Sequence, residues 1–146
     1  MVERNVEMFM AIASAIEAEP DRYDQGDWGS TRVGFESQAD AEAATLQSCG
    51  TRACIAGHTA ALTDWEPQTY FDRDIGKWRV HWAGVRRRGT TDIHRPVSEV
   101  AREELGLDSR ESALLFAGSM TFKNGDAVKS LRMLADGASV WDVCEC

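Results

Sequence analysis

Several of the features that usually announce a chemistry are missing from this sequence. No apolar run approaches the roughly 20 residues needed to cross a bilayer. Glu3, Arg4 and Glu7 interrupt the region that a secretory leader would keep apolar. The expected location is therefore cytoplasmic. The four cysteines stand at 49, 54, 144 and 146, too few and too clustered for an extracellular disulfide framework. No cysteine pairs show the two-residue spacing typical of zinc fingers. The glycines are scattered and none is followed by Lys-Ser or Lys-Thr, which excludes a phosphate loop. Asp21, Asp24 and Asp27 lack the glycine and closing glutamate that a calcium loop requires, so they read as a solvated turn. An excess of basic groups is missing too. Lys and Arg number 16 against 24 Asp and Glu, a net charge of −8, so neither a nucleic-acid nor a membrane partner is expected.

What is present suffices for one domain. A chain of 146 residues, 43% hydrophobic and 27% charged, has enough apolar material for a real core. The expected organisation is a single globular domain over 1–139 and a C-terminal tail over 140–146. The charge is uneven. Residues 1–66 hold 4 basic and 12 acidic groups, residues 67–95 hold 7 and 3, and residues 96–146 hold 5 and 9. Only the middle segment is positive.

Periodicity predicts an α+β fold that is mainly α-helical. About five or six helices are expected around a central Ala/Gly-rich helix, with one β-hairpin. Val6, Phe9, Met10, Ala13 and Ile16 recur at helical steps over 3–18, and Pro20 ends that helix. A short alanine-rich helix is read over 39–47, and the central helix over 51–63, with Thr51 as its N-cap. Trp78, Val80 and Trp82 alternate with Lys77, Arg79 and His81, the period of a strand. Ala83-Gly84 is read as the turn into a second strand over 85–93. Helices then follow at Val97–Leu105, stopped by Gly106; after Asp108, with Glu111 completing a capping box; and after Asn124 or Asp126, ending at Gly137.

Two constellations carry candidate functions. In Cys49-Gly-Thr-Arg-Ala-Cys54-Ile-Ala-Gly-His58 two thiols and an imidazole fall within ten residues, and Cys54 and His58 share a helix face. No cofactor is required by this arrangement, and zinc is the one candidate. Cys49, Cys54 and His58 would be its ligands, with a fourth from Cys144, Cys146, His81 or His94. Inert buried thiols are the ordinary reading of such residues, and a Cys54–His58 nucleophile or redox sensor and a Cys49–Cys54 disulfide are further alternatives. The second constellation is the hairpin. Lys77, Trp78, Arg79, Trp82, Arg86, Arg87 and Arg88 combine the aromatic and arginine types that dominate binding hot spots. The alternative is that both tryptophans fill the core while the arginines solvate the outer face.

The segments Cys49-Gly-Thr-Arg-Ala-Cys-Ile-Ala-Gly57, Ala101-Arg-Glu-Glu-Leu-Gly-Leu107 with Leu115-Phe116, and Ala127 to Trp141 resemble a family of small uncharacterised proteins of actinobacteria and their phages. The resemblance implies an accessory protein acting in the host cytoplasm, through a host or self partner, with a homodimer among the options. The expected function is accordingly a protein-binding module rather than an enzyme. A small zinc-stabilised domain and a thiol-dependent enzyme or redox sensor are the alternatives.

Overall fold

The computed structural model describes residues 3–29, 34–43 and 53–145. Helix α1 spans Val6–Ala18, and Asn5 caps it by accepting from the Met8 amide. Its buried face is Phe9, Ile12, Ala13 and Ile16, while Val6 and Met10 stay exposed. The stripe is thus turned from the one the periodicity suggested. A single 3-10 turn follows at Pro20–Arg22. Helix α2 covers Gln38–Glu42, α3 Ile55–Ala61, α4 Val97–Leu105, α5 Ser109–Leu115, α6 Ala127–Ala135 and α7 Val140–Val143.

Strands β1 (Trp65–Asp72), β2 (Lys77–Arg87) and β3 (Arg95–Pro96) form one antiparallel sheet in that order. A second sheet pairs β4 (Thr121–Phe122) with β5 (Cys144–Glu145). The expectation of a mainly helical body with five or six helices and one hairpin is therefore corrected. The described residues form an α+β fold of seven α-helices and two small antiparallel sheets, one of three strands and one of two. Three of the strands are two residues long, too short to leave any alternation in the sequence.

The hairpin itself is displaced from the expected one. Its strands are β1 and β2, and its turn lies at 73–76, where Gly76 takes φ +66°. Ala83 and Gly84 sit inside β2. The pairing jumps there from Pro67 with Val85 to Gln68 with His81, so Trp82, Ala83 and Gly84 bulge away from β1. A Cβ on Gly84 would lie 2.4 Å from Oε1 of the exposed Gln68 side chain, which would have to swing aside to admit it. Beyond the bulge β2 picks up β3 through Gly84 and Val85.

The helix endings follow local chemistry. Gly106 closes α4 in the left-handed region (φ 69°, ψ 41°), and the Leu107 amide reaches back to the Arg102 carbonyl at 3.0 Å. Asp108 and Glu111 make the reciprocal capping box of α5. Asp126 caps α6. Arg4 donates to the carbonyls of Leu134 and Ala138 at 2.9 and 2.6 Å and to Glu111 at 3.0 Å, tying the start of α1 to α5 and the end of α6. The closing residues pack inward: Val140, Val143 and Cys144 are buried, and only Trp141 of this stretch's large side chains stands half exposed.

Candidate functional site

The cysteine segment folds inward. Thr51 and Cys49 lie outside the described residues, as does Cys146, and the central helix is α3 at 55–61 rather than 51–63. Cys54 takes the N-cap in extended geometry (φ −73°, ψ −177°), and its amide donates to the Asp27 carbonyl at 2.6 Å. Residues 22–27 run beside it, with Tyr23 bridged to Ala53 in parallel. Trp28 then presses its carbonyl against α3. A Cβ on Gly57 would stand 1.8 Å from that oxygen, so only glycine admits this contact.

Cys54 and His58 are both buried. Burial pushes the Cys54 thiol up to about 11, and the Asp27 charge adds to the rise against opposing hydrogen bonds from the Gly57 and Ala56 amides. His58 moves down, first through burial and further through the Arg22 charge. Its Nδ1 lies 3.0 Å from the Cys54 carbonyl, and its ring stands 6.3 Å from that of Tyr23. A protonated thiol beside a neutral imidazole is poorly suited to nucleophilic attack at neutral pH. Among the described residues no three His, Cys, Asp or Glu side chains are grouped to hold a metal ion. Of the further ligands considered for zinc, Cys144 is buried on β5, close enough for its charge to act on Tyr23 as that of Cys54 does, and His81 is exposed on β2.

The basic hairpin residues meet partners within the chain. Lys77 pairs with Glu36, and Arg79 lies 3.4 Å from Asp72. Arg86 reaches the buried Glu66 at 2.6 Å and Glu42 at 3.9 Å. Arg88 donates to the carbonyls of Glu42 (2.9 Å) and Trp65 (3.0 Å). Arg87 stacks 4.5 Å over the Trp65 ring, with Glu104 4.0 Å away. Arg95 approaches the same ring at 5.9 Å while holding Glu99 and Glu103. These last groups border a cavity of about 590 Å³ lined by Trp65, Arg86, Arg87, Arg95, Glu103 and Glu104 among others. Its guanidiniums are matched by carboxylates, so it offers no uncompensated positive charge to an anion.

The two hairpin tryptophans part company. Trp82 is fully buried, and its indole N–H is, among the described residues, a buried side-chain donor without a partner. Trp78 is only half-buried. Its amide and carbonyl exchange hydrogen bonds with Phe35 at 2.8 and 2.7 Å, and its ring meets Phe71 edge-on at 5.6 Å. Phe71 is 50% exposed, and beside it Tyr70 and Ile75 are each 46% exposed. Phe71 shares a face with Trp78 while Tyr70 stands on the opposite one, both at an end of the hairpin the sequence reading missed. The signal was the uncharged, β-prone run Gln68-Thr-Tyr-Phe71, a strand pattern that began just after a proline.

No protein-family model matches this chain, and neither a curated protein nor a solved structure does.

Proposed function

We propose that this chain is a protein-binding module whose contact surface is the distal half of the β1–β2 hairpin. The observation that carries the reading is the exposure of Phe71, packed edge-on against half-buried Trp78, with Ile75 in the adjoining turn and Tyr70 exposed on the opposite face of the same end of the sheet. Large aromatic side chains left in water at a rigid hairpin are the anchors from which binding hot spots are built. The arginines of β2 contribute differently from their first reading. Arg86 and Arg88 brace the sheet through Glu66, Glu42 and the Trp65 carbonyl, so the contact passes to the aromatic tip. Burial of Cys54 and His58, with the thiol held protonated, favours binding over thiol chemistry.

Site-specific photo-cross-linking tests the reading. Benzoylphenylalanine placed at Phe71 or Ile75, in protein expressed in an actinobacterial host, is expected to form a discrete protein adduct. The same probe at Ile93, which is 90% exposed elsewhere on the surface, is expected to form none. Equal labelling at both places, or no adduct at the tip, contradicts it.

A further inference from the structure

Within the sheet the backbone itself shows how the hairpin tip is made to bind. In antiparallel strands the N–H and C=O of one residue point to the same side. Trp78 spends both on Phe35, on the side of β2 away from β1. Its partner on β1, Phe71, is therefore in a non-hydrogen-bonded pair, and the amide and carbonyl of Phe71 point out of the sheet. Alternation puts Thr69, Pro67 and Trp65 on the same outward side. Trp65's carbonyl is already taken by Arg88 at 3.0 Å, and Pro67 has no N–H. Helix α2 packs against β1: its Gln38 reaches the Thr69 hydroxyl, a side chain that shares the inner face with buried Val80 opposite it, and its end comes to the edge at Trp65, where Arg88 bridges the Glu42 and Trp65 carbonyls. Among the described residues no backbone group bonds the outward amides and carbonyls of Thr69 and Phe71. Between Pro67 and Asp72 the edge carries no charge: Gln68-Thr-Tyr-Phe71 is neutral, and the proline guards only its own position.

We infer that the edge of β1 pairs antiparallel with β1 of a second copy of this chain, joining two three-stranded sheets into one across a two-fold axis. The inference rests on the reading of the hairpin tip as an interface. Outward residues must face outward residues, which allows every second register; the one that puts both Thr69 and Phe71 in hydrogen-bonded pairs sets Phe71 opposite the partner's Thr69 and Thr69 opposite the partner's Phe71. About four backbone hydrogen bonds result. Tyr70 then lies on the axis opposite the partner's Tyr70, a non-hydrogen-bonded position where side chains approach most closely and aromatic pairs are favoured. The charges agree. Asp72 meets the partner's Gln68 and Arg73 the partner's Pro67, and where Asp74 comes opposite the partner's Glu66 that carboxylate is already held by Arg86 at 2.6 Å. Shifting the register by one step either way on each side puts Pro67 or Arg73 into a hydrogen-bonded position and loses that match. The strand is self-complementary, which singles out a second copy over an unrelated strand.

Sedimentation of the full chain across micromolar concentrations is expected to show mass rising from 16.1 kDa toward twice that value. Tyr70→Lys, which opposes two ammonium groups on the axis, is expected to hold the protein at the monomer mass with an unchanged circular dichroism spectrum. In a background with Cys49 and Cys146 replaced by Ser, Tyr70→Cys is expected to form a disulfide-linked dimer on mild oxidation, since opposed residues in such pairs stand about 4.5 Å apart at Cα. Gln68→Cys is expected to form none. A wild-type protein that stays monomeric throughout, or equal cross-linking at 68 and 70, overturns the inference. If that monomer still yields a photo-adduct from position 71 with a different protein, the interface reading stands and the second copy does not; without any adduct both are lost.

Discussion

Gly57 shows how a single residue can reverse a general preference. At an exposed helix interior Gly→Ala is worth about 1 kcal/mol of stability. Here the added methyl would collide with the Trp28 carbonyl at 1.8 Å, a backbone atom held by the pairing of 22–27 with Ala53 and Cys54. Gly57→Ala is expected to destabilise by about 1–3 kcal/mol, the usual cost of overpacking, read as a lower urea midpoint. Trp82→Ala, at a fully buried position, is expected to cost about 3–5 kcal/mol. His58 supplies a pH dependence with a definite sign. Its folded-state pKa lies below the ordinary 6.5 because the ring is buried, so the unfolded chain binds the proton more readily. Its contribution to stability is complete above pH 6.5 and is lost as pH falls through that value toward the folded pKa. The urea midpoint should drop between pH 7.5 and 5.5. His94 is lowered as well, by burial and by Arg86, and a His94→Asn background isolates the His58 share. A His58 ring signal titrating at its ordinary value would contradict this.

Elements differ in how openly the sequence displays them. Caps are local, so Asp108-Ser-Arg-Glu111 and Gly106-Leu107 could be read directly, and both occur as written. Asp108→Ala is expected to cost about 1 kcal/mol through loss of the bond to the Glu111 amide, measurable by thermal melting. The hairpin was half legible. Alternation from Lys77 to Trp82 marked a strand, but the turn was put at Ala83-Gly84 because glycine there looks like a reversal. That glycine serves a long-range contact with Gln68, which has no local signature. The true turn at 73–76 carries a single glycine, and the strand before it starts beside a proline. The inner face of α1 was misassigned for a similar reason. Val6 and Met10 fit the helical period as well as Ile12 does, and only the packing of α1 on α6 decides among them.

Across the whole molecule, charge was the least legible feature. Seven basic groups make 67–95 the positive segment, yet most of their carboxylate partners lie outside it: Glu36, Glu42 and Glu66 before it and Glu99, Glu103 and Glu104 after it, with only Asp72, for Arg79, inside it. Composition by segment cannot show pairing that folding creates. Folding leaves exposed the aromatic end of the hairpin, and on the edge of β1 the amides and carbonyls of Thr69 and Phe71 have no backbone partner among the described residues. Amide hydrogen exchange measured residue by residue at several protein concentrations tests that account most directly. The amides of Thr69 and Phe71 point outward and are predicted to exchange more slowly as concentration rises, while Gln68 and Tyr70, whose amides face β2, are predicted to keep one rate. Exchange at Thr69 and Phe71 that is independent of concentration would contradict it.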